Sequence, residues 1–93
     1  MIQRIVFIKL TSPKNISTVI EETKKVIPTV PGVKNMQVGS LVNCEDFDIS
    51  LSMIFDNMAA VEEFGPNQVH RKYVDEFLKP QLSGIKAYNI EIC

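Results

Sequence analysis

Alternating apolar and polar residues mark the strands of this chain, and apolar residues spaced by three and four mark its helices. The clearest alternation gives one apolar face to a predicted strand over residues 47–55, made of Phe47, Ile49, Leu51, Met53 and Phe55. Residues 2–10 are rich in β-branched and aromatic types on both faces, which predicts a strand covered on both sides. Residues 33–42 and 85–92 are the remaining predicted strands.

The first helix is predicted between the first two strands. Ser12 before Pro13 is typical of a helix start, because serine caps a free backbone N–H and proline lacks one. The apolar residues Ile16, Val19 and Ile20 then recur at helical spacing. Pro28 and Pro31–Gly32 are expected to end this helix.

The second helical region is predicted in two parts. A short helix covers residues 58–64, and Gly65–Pro66 separates it from a longer helix that starts near Asn67. Ser83–Gly84 is expected to stop the longer helix before the last strand.

The resulting order, β-α-β-β-α-β, is that of the ferredoxin-like fold. This α+β fold has a four-stranded antiparallel sheet with both helical regions on one face. Residues 1–93 are therefore expected to form a single domain whose other sheet face is bare. Ile5 and Phe7 lie on that face, so we expect a homodimer that packs sheet against sheet.

Composition and charge narrow the classes of function. The 93 residues are 45% hydrophobic and 23% charged, as in an ordinary globular domain. The net charge is -1, whereas nucleic-acid-binding domains are usually basic, so no nucleic-acid partner is expected. Apolar runs reach only about four residues, far short of a membrane span, so we expect no membrane association and a cytoplasmic location.

Motifs for metal or cofactor binding are absent from the sequence. Cys44, Cys93 and the single histidine, His70, show no metal-ligand spacing, and no glycine-rich phosphate loop occurs. We expect two free thiols, no metal and no cofactor.

The chain resembles the stress-responsive A/B barrel (Dabb) family over nearly its whole length. The similarity lies in the opening strand 2–10, the Ser12–Pro13 helix start, the segment Val30–Val33, and the run Phe77–Pro80 near the end of the last helix. The family commonly has histidine where Arg4 stands. The resemblance implies a dimeric α+β barrel.

The family also commonly carries a His-Pro-x-His motif before the last helix. Counting back from Phe77–Pro80 places its second histidine on His70, and its first two members on Asn67 and Gln68. In a plant polyketide cyclase of the family, the second histidine is the base and acts with a tyrosine six residues earlier. That tyrosine position is Phe64 in this chain, so the resemblance implies one missing hydroxyl.

His70 lies in the apolar arc of its predicted helix, so its side chain should point into the fold. A neutral imidazole in an apolar cavity could remove a proton from an acidic carbon or a phenol. The alternative is a core histidine that donates one N–H to a backbone carbonyl and has no further role. Tyr73, one turn later, is a candidate to replace the missing acid, and is otherwise a core tyrosine.

Arg4 shares a strand face with Val6 and Ile8. Two interpretations are open, because its head group either reaches solvent or enters the cavity beside His70 and favours a carboxylate or enolate. The candidate ligand-binding residues are Arg4, Val6, Ile8 and Phe64.

Three functions are compatible with these features. The first is a homodimer that binds a small apolar or aromatic ligand, with cofactor-independent proton transfer by His70 of the cyclase or lyase type. The second is a non-catalytic dimerising domain. The third is a cofactor-independent monooxygenase of the same fold, which oxygen consumption would distinguish.

Overall fold

Four strands and three α-helices follow one another in the order β1-α1-β2-β3-α2-α3-β4. The computed structural model describes residues 1–93. The bounds are β1 Ile2–Leu10, α1 Ile16–Val26, β2 Lys34–Ser40, β3 Ile49–Phe55, α2 Met58–Phe64, α3 Gln68–Lys72 and β4 Leu82–Glu91.

The strands form one antiparallel sheet in the order β2-β3-β1-β4. In the register of β1, Val6 lies opposite Leu51 on one side and opposite Ala87 on the other. The helices pack on the sheet face that carries these residues. This arrangement confirms the predicted ferredoxin-like α+β fold.

The core lies between this sheet face and the helices. Alternate residues of β3 are buried from Ile49 to Phe55, as the alternation predicts. α1 contributes Val19, and α2 contributes Val61 and Phe64. The apolar side chains of both layers therefore form one continuous core.

The predicted face of Phe47 is wrong. Its ring lies 5.7 Å from that of Phe7, which is on the outer face of the sheet. The strand begins only at Ile49, because the Asp48 carboxylate accepts a hydrogen bond from the Leu10 N–H at 2.9 Å and the Asp48 N–H donates to the Ile8 carbonyl. Side chains point alternately to the two faces of a sheet only within a continuous strand, so the alternation of β3 does not extend back to Phe47.

The prediction of a longer helix that starts near Asn67 is also corrected. α3 is five residues long and continues as a π-helical segment, Tyr73–Leu78, followed by a 3₁₀ turn, Lys79–Gln81. The Ser83–Gly84 pair lies inside β4 instead of ending a helix, because β1 pairs with β4 back to Leu82 across a register shift. Likewise, a 3₁₀ turn over Pro13–Asn15 precedes α1.

The outer sheet face carries no helix and has an exposed apolar patch along β1 and β4. Tyr88, Ile90 and Ile92 are 52%, 43% and 40% exposed, and Tyr88 and Phe7 pack edge to face. None of the helices has the length and apolar character needed to cross a membrane.

Candidate functional site

A small cavity lies between the sheet and the segment that follows α2. Its volume is about 70 Å³, and eleven of its thirteen lining residues are hydrophobic. All six candidate site residues predicted from the sequence line it together, namely Arg4, Val6, Ile8, Phe64, His70 and Tyr73.

His70 is positioned by the start of α3. The Asn67 side-chain oxygen caps this helix by accepting from the N–H groups of Val69 at 2.9 Å and His70 at 3.4 Å. The His70 ring packs on Phe64, with the ring centroids 4.1 Å apart. Phe64 thus fixes one face of the imidazole.

The hydrogen bonding of His70 defines its tautomer. Its Nδ1 lies 2.8 Å from the Gly65 carbonyl oxygen. Since a carbonyl can only accept, Nδ1 carries the proton and donates, and Nε2 is left with a free lone pair in the neutral ring. The ring is therefore oriented as a base at Nε2.

The surroundings of His70 favour this neutral form. Burial lowers the pKa of His70, and the positive charges of Arg71 and Arg4 lower it further. The Gly65 hydrogen bond and the Asp75 carboxylate act in the opposite direction without reversing the shift.

Arg4 lies at the edge of the cavity, between the two positions that the sequence left open, solvent and the space beside His70. Its side chain lines the cavity with His70, and its Nη1 donates to the side-chain oxygen of the exposed residue Asn89 at 2.9 Å. Asn89 lies directly opposite Arg4 on β4. Sequence reasoning missed Asn89, because only the strand register brings these two residues together.

The Tyr73 hydroxyl is held by α1. It lies 2.5 Å from the hydroxyl of Thr23, which is fully buried and donates its own hydrogen to the Val19 carbonyl at 2.7 Å. Because Thr23 has only one hydroxyl hydrogen, Tyr73 is the donor between them. Burial also raises the pKa of Tyr73. Its proton is thus engaged by Thr23.

The size of the cavity limits what it can hold. A cavity of about 150 Å³ takes up benzene, so 70 Å³ has no room for an aromatic ring in this conformation. A wider groove of about 360 Å³ runs between α1 and α3, with Val26, Val69 and Phe77 among its walls. Tyr73 lines both spaces and separates them.

The site contains no cluster of metal ligands. No group of three or more His, Cys, Asp or Glu side chains comes together anywhere in the structure, and Cys44 and Cys93 are free and exposed. The two lining residues of the cavity that are not hydrophobic are His70 and Arg4.

A comparison with protein-family models matches residues 2–92 to the stress responsive A/B barrel domain. The chain belongs to this family. Within the A/B barrel domain, the cavity at His70 is lined by residues of β1, β3 and β4 on the sheet side and of α2, α3 and the π-helical segment on the helical side. No curated protein matches the chain.

Solved structures share the fold of this A/B barrel domain. A Dabb family protein with a ferredoxin-like fold from Mesorhizobium loti is 16% identical, with a TM-score of 0.87 over 99% of this chain and 96% of the other. A dimeric ferredoxin-like protein of unknown function from Thermobifida fusca is 18% identical, with a TM-score of 0.82 over 98% and 90%. A hydroxynitrile lyase from Passiflora edulis is 20% identical, with a TM-score of 0.81 over 99% and 93%.

Proposed function

We propose that this A/B barrel domain is a homodimer that binds a small, partly apolar ligand and that His70 accepts a proton from it. The observation that carries the proposal is the hydrogen bond from His70 Nδ1 to the Gly65 carbonyl, which leaves Nε2 as the unprotonated nitrogen of a residue that lines an apolar cavity. A base poised in this way suits cofactor-independent reactions of the lyase or cyclase type.

The electrostatics of the site favour the neutral form of His70, which is the form that can accept a proton. A general base must be unprotonated at working pH, and burial lowers the pKa of His70 below its usual value. The Passiflora edulis neighbour, a lyase on the same fold, is compatible with this class of reaction. Tyr73 is assigned no proton in this proposal because Thr23 holds its hydroxyl.

Deuterium exchange tests the base directly. Nitroethane and acetone are small neutral carbon acids, and proton abstraction in D₂O replaces their acidic hydrogens with deuterium, which ¹H NMR follows. We expect the protein to accelerate this exchange, and His70→Gln to lower the protein-catalysed rate by about 100-fold or more. Lys72→Gln, an exposed change in α3, is the matched control and should exchange at the wild-type rate.

Two outcomes would contradict the proposal. One is exchange no faster than in protein-free buffer, and the other is equal exchange by wild-type protein and a folded His70→Gln variant. Circular dichroism spectra of all three proteins establish that the variants are folded.

The homodimer is proposed from the exposed apolar face of the sheet. Tyr88, Ile90 and Ile92 extend the hydrophobic surface around Phe7, and a second copy packed on the same face would remove it from water. The Thermobifida fusca neighbour is dimeric, which agrees with this packing. The two free thiols suit the reducing cytoplasm, where we propose the protein resides.

Light scattering after size exclusion measures the mass. We expect twice the 10.5 kDa chain mass for the wild type and the single-chain mass for Ile90→Asp. Val69→Asp is the matched control, because Val69 is 42% exposed on the helical side and Ile90 is 43% exposed on the sheet. A monomeric wild type, or equal effects of the two substitutions, would exclude this interface.

A non-catalytic dimerising domain is the second candidate. The small cavity favours it, and so does the hydrogen bond that satisfies His70 at Nδ1. The exchange assay separates the two candidates, because a dimerising domain leaves the exchange of nitroethane at its rate in buffer.

A further inference from the structure

Arg4 is the only charged side chain that lines the His70 cavity. It lies on the inner face of β1, directly opposite Met53 of β3 and Asn89 of β4. The rest of the lining is hydrophobic except for the neutral His70. A guanidinium in such a lining loses part of its hydration, so some other group must compensate it.

No carboxylate in the chain provides that compensation. The acidic partners in ion pairs, Asp48, Asp56 and Asp75, bind lysines or Arg71. The one hydrogen bond of the Arg4 side chain goes to the neutral Asn89 oxygen. Since a guanidinium presents several N–H donors in a planar fork, Arg4 keeps donors for an anion.

The remaining geometry selects a small monoanion. The cavity is about half the volume that takes up benzene, so it has space for a ligand fragment of about three or four non-hydrogen atoms. A single guanidinium matches one carboxylate, which it can bind through two parallel hydrogen bonds. Val6, two residues along β1 from Arg4, and Ala87, opposite Val6 on β4, line the cavity and would contact a short alkyl group.

We propose that Arg4 makes this cavity a binding site for a short-chain carboxylate, with the carboxylate on the guanidinium and the alkyl group inside the cavity. The inference deepens the proposed function, because it rests on the same ligand site and names the ligand class. Asn89 is a positioning residue here, since its oxygen holds the guanidinium at the cavity edge.

Binding of matched acids and amides tests the charge. Propanoate and propanamide have nearly the same shape, and titration calorimetry or backbone NMR shifts in a carboxylate-free buffer measure both. We expect propanoate to bind the wild type about ten-fold or more tightly than propanamide, because only the anion forms charge-assisted hydrogen bonds. Hexanoate should bind more weakly than propanoate, since its chain exceeds the cavity.

Two substitutions locate the effect at Arg4. Arg4→Met keeps much of the side-chain volume, and should weaken propanoate binding about ten-fold or more while propanamide binding is unchanged. Arg4→Lys keeps the charge but not the planar fork, so an intermediate loss is expected. Arg71→Met is the matched control and should bind propanoate as the wild type does, because Arg71 is paired with Asp75 outside the cavity.

Several results would overturn the inference. These are no saturable propanoate binding by the wild type, equal binding of propanoate and propanamide, or equal losses in Arg4→Met and Arg71→Met. The acid and amide comparison in the wild type decides the question even if Arg4→Met does not fold. Exchange of nitroethane reports separately on His70, so carboxylate binding without exchange refutes the proton transfer and leaves the Arg4 site standing.

Discussion

Replacing Tyr73 by Phe and Thr23 by Val, singly and together, tests the buried hydrogen-bond chain that joins the cavity wall to α1. Tyr73 donates to Thr23, and Thr23 donates to the Val19 carbonyl. Both side chains are buried, at 6% and 0% exposure. Each single change therefore leaves a buried polar group without one of its partners, whereas the double change removes both hydroxyls.

The structure sets the size of each effect. Tyr73→Phe removes one hydrogen bond and leaves an acceptor lone pair on Thr23, which should lower the free energy of unfolding by about 1–2 kcal/mol. Thr23→Val strands the Tyr73 hydroxyl among apolar groups and should cost about 1–3 kcal/mol. The double variant replaces both partners with apolar groups of similar shape, so its loss should be smaller than the sum of the single losses by about 1 kcal/mol or more.

Thermal unfolding followed by circular dichroism measures the three losses. For a domain of this size, about 1 kcal/mol corresponds to about 4–8 °C in Tm. All samples need the same protein concentration, because dimerisation makes Tm depend on it. Additive single losses would refute the hydrogen-bond chain. Loss of nitroethane exchange in a stable Tyr73→Phe variant would instead support Tyr73 as the acid predicted from the sequence.

Three further predictions concern the site and its supports. His70 is the single histidine, so an NMR titration of its Cε1 proton resonance should give a pKa below the usual 6.5. The free energy of unfolding should fall as pH decreases from 6.5 toward the lowered pKa of the folded state, by less than about 1.4 kcal/mol per pH unit. Urea unfolding at several pH values measures this fall. Asn67→Ala removes the α3 cap and should lower the free energy of unfolding in urea by about 1 kcal/mol. Asn57→Ala removes the α2 cap and is the comparison, with a similar loss expected. Asn35→Ala is not a suitable comparison, because Asn35 is exposed, makes no cap bond and has a positive φ. Phe64→Ala should cost about 3–5 kcal/mol by the same assay, because the ring packs on both His70 and Phe55; a loss below about 1 kcal/mol would contradict this packing.

The helices and strands predicted correctly are those in which the spacing of apolar residues along the chain matches the residues buried in the structure. The alternation in β3 and the span of α2 were both correct, because each element buries one face against the same core. The sheet face on which Phe47 lies could not be predicted, since Asp48, between Phe47 and the start of β3, contacts Lys9 and Leu10 of β1. Such a contact depends on residues nearly forty positions away.

The end of the second helical region was wrong for a similar reason. Ser83–Gly84 is a common helix stop, but the pairing of β1 with β4 extends the last strand back to Leu82. The change from α to π geometry at Tyr73 leaves no signature in hydrophobic spacing, because Tyr73 and Leu78, which are buried in the π-helical segment, also fall within the apolar arc of an ordinary α-helix. Tertiary pairing therefore decides where the last strand begins.

The departures from the family motif become intelligible once the site is assembled. Asn67 stands at the first histidine position, and its side chain caps the helix that carries His70. Phe64 stands at the tyrosine position, and its ring packs on the imidazole. Arg4 stands where histidine is common, and it brings a positive charge to the same cavity. Each replacement thus keeps a contact with the cavity while changing its chemistry, as expected if the proposed ligand differs from that of the family's histidine and tyrosine pair.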